Sequence, residues 1–148
     1  MTRRLAFAVS VLWLLVMAAP QAVGTVTVTP TPISDLSLTR YSFAWTSDGS
    51  GNVSGNAQTL APGLLFQIRF VPNGGGTAPT DLYDVTLVNA NGIDFLAGVG
   101  ANLSATVSTQ TRVASPLIYD GTGTLDLVVA NAGATKGGTV VLWLETKR

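Results

Sequence analysis

The chain has 148 residues, eight basic and eight acidic, with a formal net charge of zero and neither histidine nor cysteine. Without histidine there is no Ser–His or Cys–His nucleophile pair and no imidazole base, and without cysteine no disulfide, thiolate nucleophile, zinc knuckle or iron–sulfur cluster. Charged residues make up only 11% of the chain, and their balance gives no basic footprint for nucleic acid.

Residues 1–24 read as a signal-peptide-like segment. Arg3 and Arg4 form a positive head, an apolar run covers 5–19, and Ala22-Val23-Gly24 closes it with small residues, the order of a secretory signal. Cleavage after Gly24 leaves six basic and eight acidic residues, a net charge of −2. The run is shorter than the roughly 20 residues that span a bilayer. A retained membrane anchor and a cytoplasmic product starting at Met17 instead of Met1 are the alternatives.

Residues 25–34 (TVTVTPTPIS) read as an extended arm. Alternating Thr and Val favour β structure, while Pro30 and Pro32 exclude helix and cannot donate to a ladder. Residues 35–148 read as one β-sandwich domain, large enough for a single core. Tyr41, Phe43 and Trp45 share a strand face, and a turn at 48–52 leads to a sparse edge strand over 53–60. Leu64, Phe66, Ile68 and Phe70 alternate with Leu65, Gln67, Arg69 and Val71, which predicts a half-buried strand with the first set inside. Tyr83, Val85 and Leu87 face inward along 82–88. Asn89-Ala90-Asn91-Gly92 is a hairpin turn, with Gly92 at positive φ, and 93–96 returns antiparallel. The glycine-rich 97–102 is no helix. Leu103, Ala105 and Val107 begin a further strand and 116–119 forms a short one. Leu125, Leu127 and Val129, then Val140, Leu142 and Leu144, give the inner faces of the last two. The expectation is an all-β fold, an antiparallel β-sandwich, jelly-roll-like or Ig-like, of seven to nine strands behind an N-terminal apolar segment.

Carboxylate pairs are the acid–base device left to this composition. Asp81, Asp84 and Asp94 surround the 82–96 hairpin, but Asp84 lies opposite the Tyr83 and Val85 face and the three read as solvated positions. Asp48-Gly49-Ser50-Gly51-Asn52 begins like a calcium loop, yet Val53 stands where that loop needs glycine and Thr59 where it needs glutamate. The 89–94 segment, with Asp94, is weighed in the same way. Gly74-Gly75-Gly76 and Gly98-x-Gly100 lack the Lys-Ser/Thr ending and following helix of a phosphate loop. Asn52-Val53-Ser54 and Asn102-Leu103-Ser104 match the glycosylation sequon. Tyr41, Trp45, Tyr83, Tyr119 and Trp143 suit either a sugar-stacking face or core and interface packing. No catalytic, cofactor-binding or metal-binding residue is assigned, and no cofactor.

Three blocks carry a resemblance. The first is Trp45-Thr46-Ser47-Asp48-Gly49 with Gly51-Asn52-Val53-Ser54-Gly55. The second is 76–87 (GTAPTDLYDVTL), continued by 91–94 (NGID) and 98–104 (GVGANLS), and the third is 131–142 (NAGATKGGTVVL). Over residues 28–145 the chain resembles small uncharacterised or virion structural proteins of tailed bacteriophages and prophages. That resemblance implies a virion-associated β-sandwich, a capsid decoration or head–tail component, and supplies no functional residue. The expected role is therefore a non-enzymatic structural or assembly protein acting through sandwich packing and arm or strand exchange. Its partners would be copies of itself or other virion proteins, without direct nucleic-acid contact or a small-molecule substrate. A membrane enters only through residues 1–24 if they are retained. Its place would be the virion, or outside the cytoplasm after cleavage near Gly24. An exported binding module for carbohydrate or a cell-surface partner is the alternative.

Overall fold

The computed structural model describes residues 23–33 and 36–146, the side chains of 114–116 excepted. The signal-like segment lies outside the described residues apart from Val23 and Gly24, as does Met17. Seven strands follow in order: β1 (Thr25–Ile33), β2 (Leu38–Thr46), β3 (Gly63–Pro72), β4 (Asp84–Asn89), β5 (Thr109–Tyr119), β6 (Leu125–Ala130) and β7 (Gly137–Glu145). They form an antiparallel sheet of order β1-β2-β7-β3-β5 and a second, β4-β6.

Single bridges widen the second layer. Val53 and Gln58 bridge to β6, Asp94 to Val88 in β4, and Leu103 to Tyr83 just before β4. One layer then runs β2-β7-β3-β5 and the other 53–58, β6, β4, 94–103. Apart from the hairpin after β4, the chain changes layer at every step from β2 onward. That is the strand order of a jelly roll, with β1 added beside β2. Among the described residues no helix is long and apolar enough to cross a membrane.

Register builds the core in rows across the sheet. Phe43 pairs with Val140 and Val140 with Phe70; Tyr41 pairs with Leu142 and Leu142 with Ile68. All six are buried, as are Val85, Leu87, Leu125, Leu127 and Val129 in the facing layer. Alternation of side chains across each strand makes this possible, because one face of every strand is apolar. Trp45 closes one end of the core with its ring 5.7 Å from that of Tyr83. Its neighbour across the ladder is Gly138, where a Cβ would fall 2.8 Å from the indole. Gly100 likewise lets the 97–102 loop lie directly against Val85, whose amide donates to the Gly100 carbonyl at 2.8 Å.

Strand β3 departs from the expected phase. Ile68 and Phe70 point inward, but Leu65 rather than Leu64 or Phe66 is the next buried residue. The cause is a β-bulge between Leu65 and Gln67: these pair with Leu144 and Trp143, leaving Phe66 as an extra residue. A bulge of one residue inverts the faces on one side of it. The doublet Leu64-Leu65 accepts that inversion, since either leucine fills the core position. Phe66 is displaced outward, where the Arg112 guanidinium lies 4.8 Å from its ring centroid.

Residues 25–33 form β1, an extended strand paired along its whole length with β2. Pro30 and Pro32 occupy this edge strand, the place where a missing N–H is tolerated. Thr109–Tyr119 is one strand that includes Pro116, also at an edge, and the chain before it makes only the Leu103 bridge. The 53–60 and 93–96 segments contribute bridges instead of full strands.

Two predictions follow from the packing. Phe70→Ala should cost about 3–5 kcal/mol, whereas Phe66→Ala should cost about 1 kcal/mol or less, chiefly its contact with Arg112; urea unfolding of both variants checks the contrast. Burial pushes the Tyr83 phenol up to about 12, while an unfolded tyrosine titrates near about 10. The folded chain therefore holds this proton longer. Its stabilising share is full below about pH 10 and lost as pH rises through about 12. Urea midpoints measured across that range should fall, and fall less steeply in Tyr83→Phe.

Candidate binding face

The carboxylates are occupied by the backbone of the loops. Asp48 Oδ1 accepts from the amides of Ser50 and Asn52, at 2.8 and 2.9 Å, which is a turn built on its own side chain. Asp94 accepts from the amides of Leu87, Leu96 and Gly98, and Asp126 from those of Gly55 and Asn56. Asp84 accepts from the Asn102 amide and Asp81 from the Ala105 amide. Asp81, Asp84 and Asp94 thus each hold a different stretch of chain. No group of three or more acidic side chains able to hold a metal occurs among the described residues.

The glycine motifs and sequons find equally local settings. Gly75–Thr77 is a single 3-10 turn, and Lys136 Nζ donates to the Gly76 carbonyl at 2.7 Å. Asn52 and Asn102 are exposed, while the middle residues of their sequons, Val53 and Leu103, are buried. Ser47 is a buried polar residue that the sequence does not single out. Its hydroxyl donates to the Gly133 carbonyl at 2.6 Å and accepts from the Lys136 amide at 2.9 Å. It ties the end of β2 to the loop before β7.

Of the five singled-out aromatics, Tyr41, Trp45, Tyr83 and Tyr119 are buried. Tyr41 accepts from the Ala61 amide and Tyr119 donates to the Gly123 carbonyl, both at 2.9 Å, so each phenol is a strut between strand and loop. Trp143 alone is half-buried on the outer face of the five-stranded sheet.

That outer face is built by register. Arg40, Trp143, Gln67 and Arg112 are successive partners across β2, β7, β3 and β5 and form one row. Ser42, Val141, Arg69 and Gln110 form the next. The Arg69 guanidinium stands 5.6 Å from the centre of the Trp143 ring, and its Nε is buried without a hydrogen-bond partner. Arg40 extends toward β1, where its Nη2 lies 3.4 Å from Thr31 Oγ1. No carboxylate stands in either row. Three of the four described cations are gathered on this face, the fourth being Lys136.

On one side the face becomes apolar. The row beyond Trp143 is Leu38, Glu145, Leu64 and Ile118. Leu64 is 37% exposed, Phe66 40% and Ile118 72%. Beside them runs a groove of about 680 Å³ lined by Ser37, Pro62, Leu64, Ile118, Asp120 and Glu145, among others. Asp120 is the groove residue with a perturbed acidity: the Thr122 hydroxyl and amide hold its carboxyl below the usual carboxylate value. A general acid needs the opposite shift, so Asp120 is suited to structure or charge rather than proton donation.

No family model, no curated protein and no solved structure matches this chain.

Proposed function

We propose that the protein is a non-enzymatic structural module that works by assembly, with copies of itself on a virion surface or at a head–tail junction. The observation that carries this reading is the exposed apolar patch made by the bulge in β3. Leu64 and Ile118 are direct cross-strand partners with Phe66 beside them, and apolar side chains gathered in one place mark a contact surface. Its non-catalytic character is supported by carboxylates whose oxygens accept from backbone amides of the loops.

The jelly-roll order is shared by viral capsid and lectin domains. This is a fold-level analogy. Strand exchange offers a second route to the same end: β1 makes nine residue pairs with β2 across a short connection, and a neighbouring copy could supply an identical strand.

Light scattering coupled to gel filtration tests the proposal. The purified chain should be oligomeric, and Leu64→Glu with Ile118→Glu should return it to a monomer with an unchanged circular dichroism spectrum. A wild-type chain that stays monomeric at its highest soluble concentration contradicts assembly through this patch. Detection of the chain by mass spectrometry in purified virions would support the virion setting.

A further inference from the structure

We propose that the outer face of the five-stranded sheet is a binding site for an acidic polysaccharide, a glycan chain bearing carboxylates. The inference does not depend on the assembly reading, because it uses the cationic rows rather than the apolar patch.

The argument begins with charge. The described residues carry four cations and seven acidic groups, yet Arg40, Arg69 and Arg112 stand on one face in rows that contain no carboxylate. Glu145, in the next row, is the one carboxylate these strands place on the same face, so three guanidiniums against one carboxylate leave an excess of positive charge that an anionic partner would relieve. Arg40 and Arg112 are exposed and lie three strand spacings apart, about 14 Å. Arg40 turns away from Arg112 toward Thr31 on β1, so an extended polymer spans the pair where a small anion would not. A second copy presenting the same face would set arginine against arginine.

The neighbours of the arginines select the kind of polymer. Thr31, Ser42, Gln67 and Gln110 stand among them, and each both donates and accepts hydrogen bonds, which matches sugar hydroxyls. Single-stranded nucleic acid would need bare aromatic rings for its bases. Here the Trp143 ring carries Arg69 at 5.6 Å and the Phe66 ring carries Arg112 at 4.8 Å. What the face presents is guanidinium edges, whose paired N–H groups fit carboxylates two bonds at a time. Strands fix the spacing of the backbones that carry these groups, so the site needs no backbone ordering on binding.

The test is calorimetric titration of the purified full chain with polygalacturonate, alginate, hyaluronate and polysialate. Methyl-esterified polygalacturonate, neutral dextran and a single-stranded thymidine oligonucleotide serve as comparisons. At least one carboxylated glycan should bind. Arg40→Gln and Arg112→Gln should each weaken it about tenfold without altering the circular dichroism spectrum, and esterification should abolish it. Three results would overturn the proposal: no binding of any carboxylated glycan, binding unaffected by the arginine substitutions, or equal binding of the oligonucleotide. Leu64→Ser with Ile118→Ser, which adds no charge beside the arginines, separates the two readings, since loss of assembly with retained glycan binding locates each function on its own part of the face.

Discussion

One extra residue in β3 sets the character of the outer face of the five-stranded sheet. Between Leu65 and Gln67 the pairing with β7 advances by one residue while β3 advances by two. Without that bulge, Leu64 and Phe66 would continue the inward series of Ile68 and Phe70, and Leu65 alone of the three would face outward beside Ile118. With it, Leu65 fills the core position and two apolar side chains are turned outward beside Ile118. Opposite the same bulge, β5 advances five residues between Arg112 and Leu117, so both strands of this edge pair are irregular at one place. Bulges recur at sheet edges where a side chain must be re-aimed, and the surface produced here is the one on which the assembly reading rests.

The molecule is also polarised by what its charged groups do. Six described aspartates accept hydrogen bonds from backbone amides or a neighbouring threonine, and most of these hold loops around the β4-β6 layer. Such bonds satisfy loop amides that no ladder reaches. The arginines have no comparable structural task. On the outer face of the other sheet Arg69 stands over Trp143 and Arg112 over Phe66, while Arg40 reaches Thr31. Acidic groups build the loops, while basic groups remain on a plane ready to contact something else. A chain with few charges therefore still has two chemically distinct sides.

The sequence makes the fold class and most of the core legible. Tyr41, Phe43, Val85, Leu87, Leu127 and Leu142 are all inside, as period-two alternation predicts. The phase of β3 is hidden because Leu64-Leu65 satisfies either register, and the choice is made by partners in β5 and β7 far along the chain. Pro116 reads as a strand boundary, yet on an edge strand it costs little and β5 continues through it. The composition of the outer face is not legible at all from local pattern. Arg40, Gln67, Arg112 and Trp143 are scattered over more than a hundred positions and become a row only through cross-strand register. Separating Trp45 from Trp143 requires the same information, because both sit in alternating strands and only one alternation faces the core.

The bulge is the point at which this account is most exposed to contradiction. Nuclear Overhauser contacts between β3 and β7 in the folded chain measure it directly, and they depend on neither oligomeric state nor ligand. The account predicts that Leu65 faces Leu144 and Gln67 faces Trp143, with Phe66 facing no residue of β7. Contacts placing Phe66 opposite Leu144, in an unbroken ladder, would return Leu64 and Phe66 to the core, turn Leu65 outward and contradict the account of this surface.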